Sequence, residues 1–587
     1  MDIQRLLLFV VFSFSLLMLW EAWQKEQHPV PVQTAAQNTA AKDGIPAAPA
    51  STATGSATAA AKPGTGVAPA GTVPAAAVPA TAAAAPQAHE TIKVQTDVVS
   101  AEIDTLGGDI VRLELLRYPA SQQHTMWWTK ITSLFTGQHP ADSISDDPNL
   151  VLLGPEHQYF AQSGLIGEGL PNHKTLYRAA AKSATLAEGS DKLEVRLTAE
   201  GTGPAAGVRV TKVITFHRGS YLVDVAHEVS NGATAPVAPV AYFHLTRDGR
   251  SPGGDPGMVS TFTGVAYYSE QDKFQKIDFS DINKEPLDKK LDNGWIAMVQ
   301  HYFVSALLPP DKQAHEIYTD KVGDALYRAG VKLPMAAVAP GATATAAVRL
   351  YSGPEDQDKL QAIAPGLERS VDYGRLTILA EPLFWVLKFF HNWLGNWGLA
   401  IIALTISVKL LFFPLSAASY RSMAKMKLVQ PRLQKLREQY GDDRMKLNQA
   451  MMDLYKQEKI NPLGGCLPIV IQIPVFIALY WTLLASVELR HAPFYGWITD
   501  LSSADPYSIL PALMMLSMIV QTKLNPTPPD PVQAKVMMIM PFAFGIMFFA
   551  FPAGLVLYWV VNNILSILQQ WQIQRMIGTP KAATSKS

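Results

Sequence analysis

The stretch at residues 398–415, GLAIIALTISVKLLFFPL, constrains this chain most, because it has the length and apolar character of a membrane span yet contains Lys409. A cation at the centre of a bilayer costs about 2.5–3.5 kcal/mol on insertion scales, so an ionisable residue there indicates a functional site. Thr405 and Ser407 precede it, and the apolar segments from residue 397 onward contain no acidic side chain to neutralise it. We therefore expect its partner to come from outside the protein.

Six apolar segments are near the length that crosses the hydrocarbon layer. The first lies in residues 1–23, and no small-residue cleavage site follows it, so we favour an uncleaved anchor over a signal peptide. The other five fall within residues 397–573. Their approximate bounds are 397–415, 464–487, 506–522, 536–550 and 554–570.

The region between the anchor and the later spans has two parts. Residues 24–90 are rich in Ala and Pro and predict a flexible linker. Residues 91–356 contain segments in which polar and apolar side chains alternate, a pattern typical of half-buried strands. Many short strands with little helix predict a large β-sandwich. Strands are expected at 192–197, 208–216, 221–229, 295–308 and 343–351, with turns at Gly107-Gly108, Asn231-Gly232 and Gly253-Gly254.

Loop charge sets the expected orientation. Residues 420–459 contain ten basic and five acidic side chains, a net charge of +5, whereas residues 488–505 contain one arginine and three acids. The positive-inside rule places 420–459 in the cytoplasm. With six spans, both termini are then cytoplasmic, and the β-domain lies on the opposite side of the membrane.

Several function classes have no support in the sequence. The 49 basic and 49 acidic residues balance, which gives no global indication of binding to DNA. Cys466 is the only cysteine, so neither an intramolecular disulfide nor a cysteine metal cluster is possible. Nucleotide-binding and common hydrolase motifs are absent, and we expect no cofactor. The scattered histidines show no metal-ligand spacing: His157, His217, His227 and His301.

Residues 372–392 switch to a helical period. One face carries apolar side chains, and charged groups lie off it. We favour an amphipathic helix lying at the membrane interface over a helix packed on the sandwich. The predicted apolar face comprises Leu376, Leu379, Leu383, Leu387 and Phe390.

Residues 417–460 predict a cytoplasmic helical hairpin with a turn at Gly441-Asp442-Asp443, where either aspartate can cap the second helix. Its methionines form either the seam between the helices or a soft surface for varied apolar segments. Its basic residues either enforce topology or bind anionic lipid or ribosomal RNA. The side chains concerned are Met423, Met426, Met451, Met452, Lys425, Lys427 and Arg432.

Polar side chains also occur in or near the other spans. They indicate either a hydrated cavity or hydrogen bonds between helices, worth about 0.6 kcal/mol each. For the amides alone we favour hydrogen bonding. These residues are Gln472, Ser517, Gln521, Asn562 and Asn563.

Long motifs in this chain resemble the YidC family of membrane protein insertases in its Gram-negative form. They include LFFPLSAASYRSMAKMKLVQP, NPLGGCLPIVIQIPVFIALYW and FPAGLVLYWVVNN, with NGWIAMVQHYFVSALLP and LYSGPEDQDKL in the β-domain. The resemblance implies a bacterial inner-membrane protein with a five-helix insertase core, an N-terminal anchor and a periplasmic β-supersandwich similar to sugar-mutarotase folds. It also implies a groove open to the cytoplasm and to lipid.

The same resemblance implies the site residues. Lys409 takes the position of the groove cation, where the family usually has arginine, and Trp559 stands where tyrosine is usual. Lysine lacks the planar fork that binds a carboxylate at two points. The remaining groove or substrate-contacting positions are Thr405, Gln472, Ile473, Phe476 and Tyr558.

The resemblance implies an insertase and membrane chaperone without covalent catalysis. Its partners would be nascent membrane proteins, the Sec translocon with its accessory subunits, membrane lipids and, weakly because the tail at residues 574–587 is short, the ribosome. One alternative is a secondary transporter that uses Lys409 as a substrate or proton site, although we find no internal repeat. A second is a membrane-tethered carbohydrate enzyme, which only analogy with the fold of the β-domain supports.

Overall fold

The structure is a computed structural model that describes residues 89–120, 148–252, 261–323, 325–441, 443–458, 467–525 and 531–577. Several sequence predictions lie outside these residues. They are the anchor at 1–23, the linker up to residue 88, the turn at Gly253-Gly254, Asp442, Cys466, the side chain of Lys427, and the tail from residue 578.

The N-terminal half forms two large β-sheets that face each other, which confirms the predicted β-sandwich. Most predicted strands occur close to their expected bounds. The strands are β1 (Thr91–Gln95), β2 (Val99–Asp104), β3 (Asp109–Pro119), β4 (Asn149–Leu153), β5 (Phe160–Ile166), β6 (Arg178–Ala179), β7 (Ser183–Thr185), β8 (Lys192–Glu200), β9 (Val208–His217), β10 (Leu222–Asn231), β11 (Val240–Asp248), β12 (Gly264–Ser269), β13 (Lys273–Ile277), β14 (Asp288–Leu291), β15 (Trp295–Gln300), β16 (Phe303–Leu308), β17 (His315–Val322), β18 (Leu326–Pro334) and β19 (Thr343–Pro354).

Strand order in the first sheet is β14-β17-β18-β11-β5-β3-β2-β1-β7, with β4 paired to β3. In the second it is β13-β12-β15-β16-β19-β10-β9-β8-β6. Adjacent strands are antiparallel except for β1 and β7. Strands such as β2 and β10 alternate between buried and partly exposed residues, as the period of two requires, and their buried faces meet in one apolar core.

The predicted single strand at 295–308 is wrong, because it is a hairpin of β15 and β16. The turn consists of His301 and Tyr302, and Tyr302 adopts a φ of 71°. All residues of both strands are buried because β12 and β19 flank them and the opposite sheet covers them. Apolar residues therefore occur on both sides of the turn, and no glycine marks the turn in the sequence.

The C-terminal half is helical. Helix α1 lies within the β-domain, α2 follows its last strand, and α3 to α10 form the helical region. They are α1 (Phe279–Ile282), α2 (Gln357–Ile363), α3 (Thr377–Leu394), α4 (Trp397–Leu411), α5 (Phe413–Tyr440), α6 (Arg444–Gln457), α7 (Leu467–Ala485), α8 (Ile509–Leu524), α9 (Pro531–Met547) and α10 (Ala553–Ile577), with short 3-10 helices at Pro155–His157, Gly203–Ala205, Leu367–Ser370, Gly374–Leu376, Val487–Leu489 and Phe548–Ala550.

The predicted span at 397–415 is not one straight helix, because the chain bends by 67° between α4 and the first part of α5. Phe412 separates the two helices. Pro414 has no N–H to donate to the carbonyl of Leu410, so the first helix cannot continue through it. Among the described residues, no single helix has the length and hydropathy of a membrane span, whereas this bent pair meets both criteria together.

Helix α3 packs on the helical region rather than on the sandwich, against α4 and α7. Its buried side chains are Ala380, Phe384 and Leu387, while Leu379, which belongs to the predicted face, is 37% exposed. The opposite side is apolar as well. It carries exposed Ile378, Trp385, Phe389 and Trp393. The predicted face is largely the packed one, because Leu387 is buried and Leu376, Leu383 and Phe390 pack against the core of the helical region.

The β-domain and the helical region meet at a polar seam. Lys276 forms an ion pair with Asp372 at 2.7 Å, and His301 Nε2 donates to the carbonyl of Leu484 at 2.9 Å. Arg490 donates to the carbonyl of Pro119 at 2.8 Å. These contacts place the sandwich at the end of α7.

Candidate functional site

Lys409 lies in the last turn of α4, two residues before the helix ends. The negative end of the helix dipole favours a cation there. The side chain is half-buried, and its Nζ donates to Ser566 Oγ on α10 at 2.7 Å. Among the described residues, no carboxylate lies within ion-pair distance of Nζ, so the partner that the protein itself supplies is a neutral hydroxyl.

Ser566 is the centre of a polar network that the sequence analysis missed. Its hydroxyl is 3% exposed and donates to the carbonyl of Asn562 at 2.7 Å. The Tyr420 hydroxyl, at the start of the hairpin, is a further side-chain partner of Ser566. A hydroxyl offers one donor and two acceptor positions, so Ser566 can donate to Asn562 and accept from Lys409 at the same time.

The network continues from α10 to α7. Gln472 Nε2 donates to Asn562 Oδ1 at 2.9 Å, and the Tyr558 hydroxyl is bonded to the Gln472 side chain. Lys409, Gln472 and Tyr558 are therefore linked across α4, α7 and α10 through Ser566 and through both the main-chain and the side-chain oxygen of Asn562. The sequence prediction named these three residues separately, and the structure brings them into one connected group.

An aromatic cluster lies beside this network. Phe476 packs edge to face on Trp559 with ring centroids 4.5 Å apart, and stacks on Tyr558 at 6.3 Å. Tyr558 is 2% exposed, and the Nε1 of Trp559 is buried without a hydrogen-bond partner. In this structure the aromatic pair of α10 is thus mainly part of the bundle interior.

The remaining predicted groove residues differ in exposure. Thr405 is 1% exposed, and its hydroxyl donates to the carbonyl of Ile401 in its own helix at 2.6 Å. Ile473 is 48% exposed, and Leu410, next to Lys409, is 66% exposed. A molecule approaching the site would therefore meet apolar side chains and Lys409 before it met Thr405.

Two further pairs of polar residues form hydrogen bonds to α10. Asn563 Nδ2 donates to Ser517 Oγ at 3.1 Å, and Gln570 Nε2 donates to Asn525 Oδ1 at 3.0 Å. Asn562, Ser566 and Gln570 recur every four residues and thus share one face of α10. This spacing was the signal that could have identified Ser566 and Gln570 from the sequence.

The predicted hairpin is present as α5 and α6. The Asp443 carboxylate caps α6 by accepting from the N–H groups of Met445 and Lys446 at 3.2 and 3.1 Å. Arg432 and Glu458 join the two helices through an ion pair at 2.5 Å. The first helix begins at Phe413 rather than 417, because it continues directly from the break at Phe412.

The hairpin methionines divide between the two predicted roles. Met426 and Met451 pack in the seam around Val429, Leu433 and Leu454, and Met423 is half-buried. Met452 is 49% exposed, as is its neighbour Met445 at 81%. Lys425 and Arg432 project into solvent.

The histidines considered in the sequence analysis differ in their surroundings within the β-domain. Among the described residues, no group of three or more His, Cys, Asp or Glu side chains is arranged to hold a metal ion. His157 contacts Asp248 at 3.2 Å and His217 contacts Asp224 at 2.8 Å. His227 is fully buried on the apolar side of β10.

Comparison with known proteins gives matches over both halves of the chain. Residues 389–580 match the family described as 60Kd inner membrane protein, and residues 91–128 and 129–386 match the YidC periplasmic domain. Relatives named "Membrane protein insertase YidC" cover the chain almost end to end. That of Dechloromonas aromatica is 52% identical over 98% of both chains, and that of Nitrosospira multiformis is 52% identical over 100% of this chain and 99% of its own.

A third relative with the same name, from Aromatoleum aromaticum, is 53% identical over 99% of both chains. A solved structure titled "Active YidC insertase crystal structure with the first transmembrane domain resolved" covers 82% of this chain and 92% of its own. Its sequence identity is 18% and its TM-score is 0.37, too low to support an argument about helix arrangement.

Proposed function

Because the chain belongs to the YidC family of inner membrane proteins with a periplasmic domain, we propose that it inserts nascent membrane proteins into the bacterial inner membrane and assists their folding. The observation that carries this proposal is Lys409, a half-buried cation between apolar helices that is held by a neutral hydroxyl. The relatives of this chain are named membrane protein insertases, and insertion is not an enzymatic activity.

The membrane arrangement is part of the proposal. Helices α4 and α7 to α10 would cross the bilayer together with the anchor, giving six spans, both termini in the cytoplasm and the sandwich in the periplasm. Exposed apolar side chains such as Met538, Ile539 and Leu568 support contact with lipid. The proposed parts are the anchor at 1–23, the linker at 24–90, the β-domain at 91–356, the interfacial helix at 372–392, the insertase core at 397–573 with its hairpin at 417–460, and the tail at 574–587.

The exposed aromatic side of α3 supports its position at the interface. Trp385 and Trp393 are 69% and 76% exposed although they are large and apolar. Tryptophan favours the level of the lipid headgroups. The buried side of α3 meanwhile packs on α4 and α7, so the helix would lie along the bundle and in the interface at once.

Insertion would use both the positive charge of Lys409 and exposed apolar side chains of the helices. The ammonium would hold an acidic flank of the entering segment by an attraction that the low dielectric strengthens. The apolar part of the segment would move along exposed side chains such as Ile473 and Leu410 into lipid. Burial of about twenty apolar residues would supply the free energy.

The buried groove positions assign a second stage to the process. Thr405 and Tyr558 would contact a substrate only after α4, α7 and α10 moved apart, because both are at most 2% exposed. Gln472, Phe476 and Trp559 are partly exposed and would contact it earlier. Their contacts with one another would hold the bundle together until that movement.

The hairpin would receive substrates on the cytoplasmic side. Met445 and Met452 offer exposed, adaptable apolar contacts, and Lys425 and Arg432 carry positive charge beside them. Anionic lipid and ribosomal RNA both suit that charge. Cooperation with the Sec translocon and its accessory subunits is proposed on the resemblance alone.

Site-specific photocrosslinking to a stalled nascent membrane protein tests the proposal. A crosslinker at Ile473 should capture the nascent chain, and one at Trp393, equally apolar but on α3, provides the matched control. A crosslinker at Thr405 should react only once the helices have separated. Absence of any crosslink from Ile473 in an insertion-competent protein would contradict the proposed path.

Reconstituted insertion tests the role of charge and excludes the transporter. Lys409→Ala should lower insertion of a substrate with an acidic flank by roughly tenfold relative to its neutral counterpart, the loss expected for a charged hydrogen bond, and Lys409→Arg should restore it. Solute flux that depends on Lys409, without insertion of either substrate, would instead favour a secondary transporter.

A further inference from the structure

Lys409 is linked to a single buried serine within the part of the chain that the structure describes. Its Nζ donates to Ser566 Oγ at 2.7 Å, and that oxygen is 3% exposed. A lysine ammonium has three donors. One is thus directed into the bundle, while the half-buried side chain leaves the rest of the ammonium partly accessible.

Ser566 is itself held in a fixed orientation. Its hydroxyl donates a hydrogen bond to the carbonyl of Asn562, one turn earlier in α10, at 2.7 Å. Its oxygen therefore presents lone pairs toward Lys409, with Tyr420 as its other side-chain partner. A hydroxyl fixed in this way can only accept from the ammonium.

The chemistry of this pair permits exchange. A neutral acceptor stabilises an ammonium less than a carboxylate does, because it lacks the Coulombic attraction between opposite charges. A permanent internal carboxylate would instead neutralise the lysine and compete with an acidic substrate. Serine holds the cation in place without neutralising it.

We propose that Ser566 is the positioning residue of Lys409, which holds the ammonium at the groove between substrates and releases it to the carboxylate of an acidic segment. This inference rests on the proposed insertase function. It predicts that selectivity for acidic flanks depends on the acceptor at residue 566 as well as on the cation at residue 409.

The test compares insertion yields of two substrates that differ only in Asp or Asn residues of the translocated flank. Purified full-length protein is reconstituted in liposomes, and the ratio of acidic to neutral yield is measured. Ser566→Asp should lower this ratio by roughly tenfold, to the level of Lys409→Ala, because its carboxylate occupies the ammonium. Ser566→Thr keeps the hydroxyl and should retain the ratio.

Two further variants keep the result interpretable if Ser566→Asp folds poorly. Ser566→Ala should lower the ratio in the natural background and have no further effect on it in Lys409→Ala, as expected for residues that act together. Ser517→Ala is the matched control, because this serine is also buried and bonded between helices but has Asn563 rather than Lys409 as its donor. It should leave the ratio unchanged.

The outcomes separate the inference from the function on which it rests. If the natural protein inserts neither substrate, the proposed function fails. If it inserts both and Lys409→Ala lowers the ratio while Ser566→Ala and Ser566→Asp do not, the positioning role is wrong and the function remains. Equal changes with Ser517→Ala would likewise overturn the positioning role, because they would show a general effect of bundle packing.

Discussion

The two halves of this molecule differ in the partners that they supply to a lysine removed from solvent. In the β-domain, Lys332 is 6% exposed and pairs at 2.5 Å with Glu316, which is equally buried. Lys212 is fully buried, donates to three backbone carbonyls and lies 3.7 Å from Asp109. In the helical region, Lys409 has the hydroxyl of Ser566 instead of a carboxylate.

The difference shows which half can complete its interactions internally. A buried charge needs a paired charge or several hydrogen bonds, and the sandwich supplies both from its own strands. The helical region leaves its cation incompletely paired and exposes large apolar side chains around it. Such a surface is stable in lipid and remains available to a passing segment.

The largest expected effect comes from deleting either the hairpin or the β-domain. Deleting residues 423–457 should abolish insertion, because it removes the hairpin that receives the substrate, while the remaining helices still pack. Deleting residues 91–354 should leave most of the insertion activity, because the sandwich has its own core. The measurement is insertion by purified, folded deletion proteins.

Either deletion could reverse the comparison. Normal insertion without the hairpin would remove it from the pathway. Complete loss without the sandwich, from a protein that is still well folded, would place an essential activity in the β-domain.

The next prediction concerns the paired and the unpaired lysine. Glu316→Gln should destabilise the β-domain by about 3–5 kcal/mol, because it leaves Lys332 buried without its counter-charge. Lys409→Met should cost the helical region far less, since no ion pair is broken. Urea denaturation followed by proteolysis of each half measures both changes.

A compensating pair provides the control for that prediction. Glu316→Leu combined with Lys332→Met should regain most of the lost stability, because well-packed apolar residues can replace a buried ion pair. A double variant as unstable as Glu316→Gln would mean that packing, rather than the uncompensated charge, causes the loss.

A third prediction uses pH at the seam between the halves. Burial raises the pKa of Glu355 to about 8, against an ordinary value of 4.5, and the charged groups facing it are Lys276, Asp372 and Glu488. The docked protein thus binds a proton that an exposed Glu355 would lose. Docking should be strongest below pH 4.5 and weaken by up to about tenfold per pH unit until pH 8.

Hydrogen exchange at the seam between pH 6 and 9, corrected for intrinsic rates, measures this effect. Glu355→Gln mimics the neutral carboxyl and should remove the part of the pH dependence that lies between pH 6 and 8. An identical slope in the natural protein and in Glu355→Gln would assign the dependence to another group.

The smallest effect concerns the neutral hydrogen bonds between helices. Breaking the bond from Asn563 to Ser517 should cost the helical region about 0.6 kcal/mol, much less than the loss of Glu316 in the sandwich. A double-mutant cycle of Asn563→Leu and Ser517→Ala isolates the pairwise contribution. A coupling of several kcal/mol would show that the bundle depends on its polar bonds as strongly as the sandwich does.

Much of the fold followed from local pattern. The period of two in residues 192–197 and 208–216 identified β8 and β9, and the charge of residues 420–459 with its Asp443 cap identified the hairpin. The sequence did not reveal the hairpin within residues 295–308 or the bend within residues 397–415, and the reason is the same for both. In both, apolar character continues nearly unchanged through a reversal or bend of the backbone.

The sequence by itself determined that this chain has a β-sandwich, apolar helices and a lysine among them that no acid of those helices can neutralise, because composition and periodicity are local properties. Only the tertiary structure decided that Ser566, 157 residues away, accepts from Lys409, and that Thr405 turns inward while Ile473 remains exposed. The physical reason is that helix packing fixes which faces meet. Where apolar residues surround each helix, the period alone does not specify that choice.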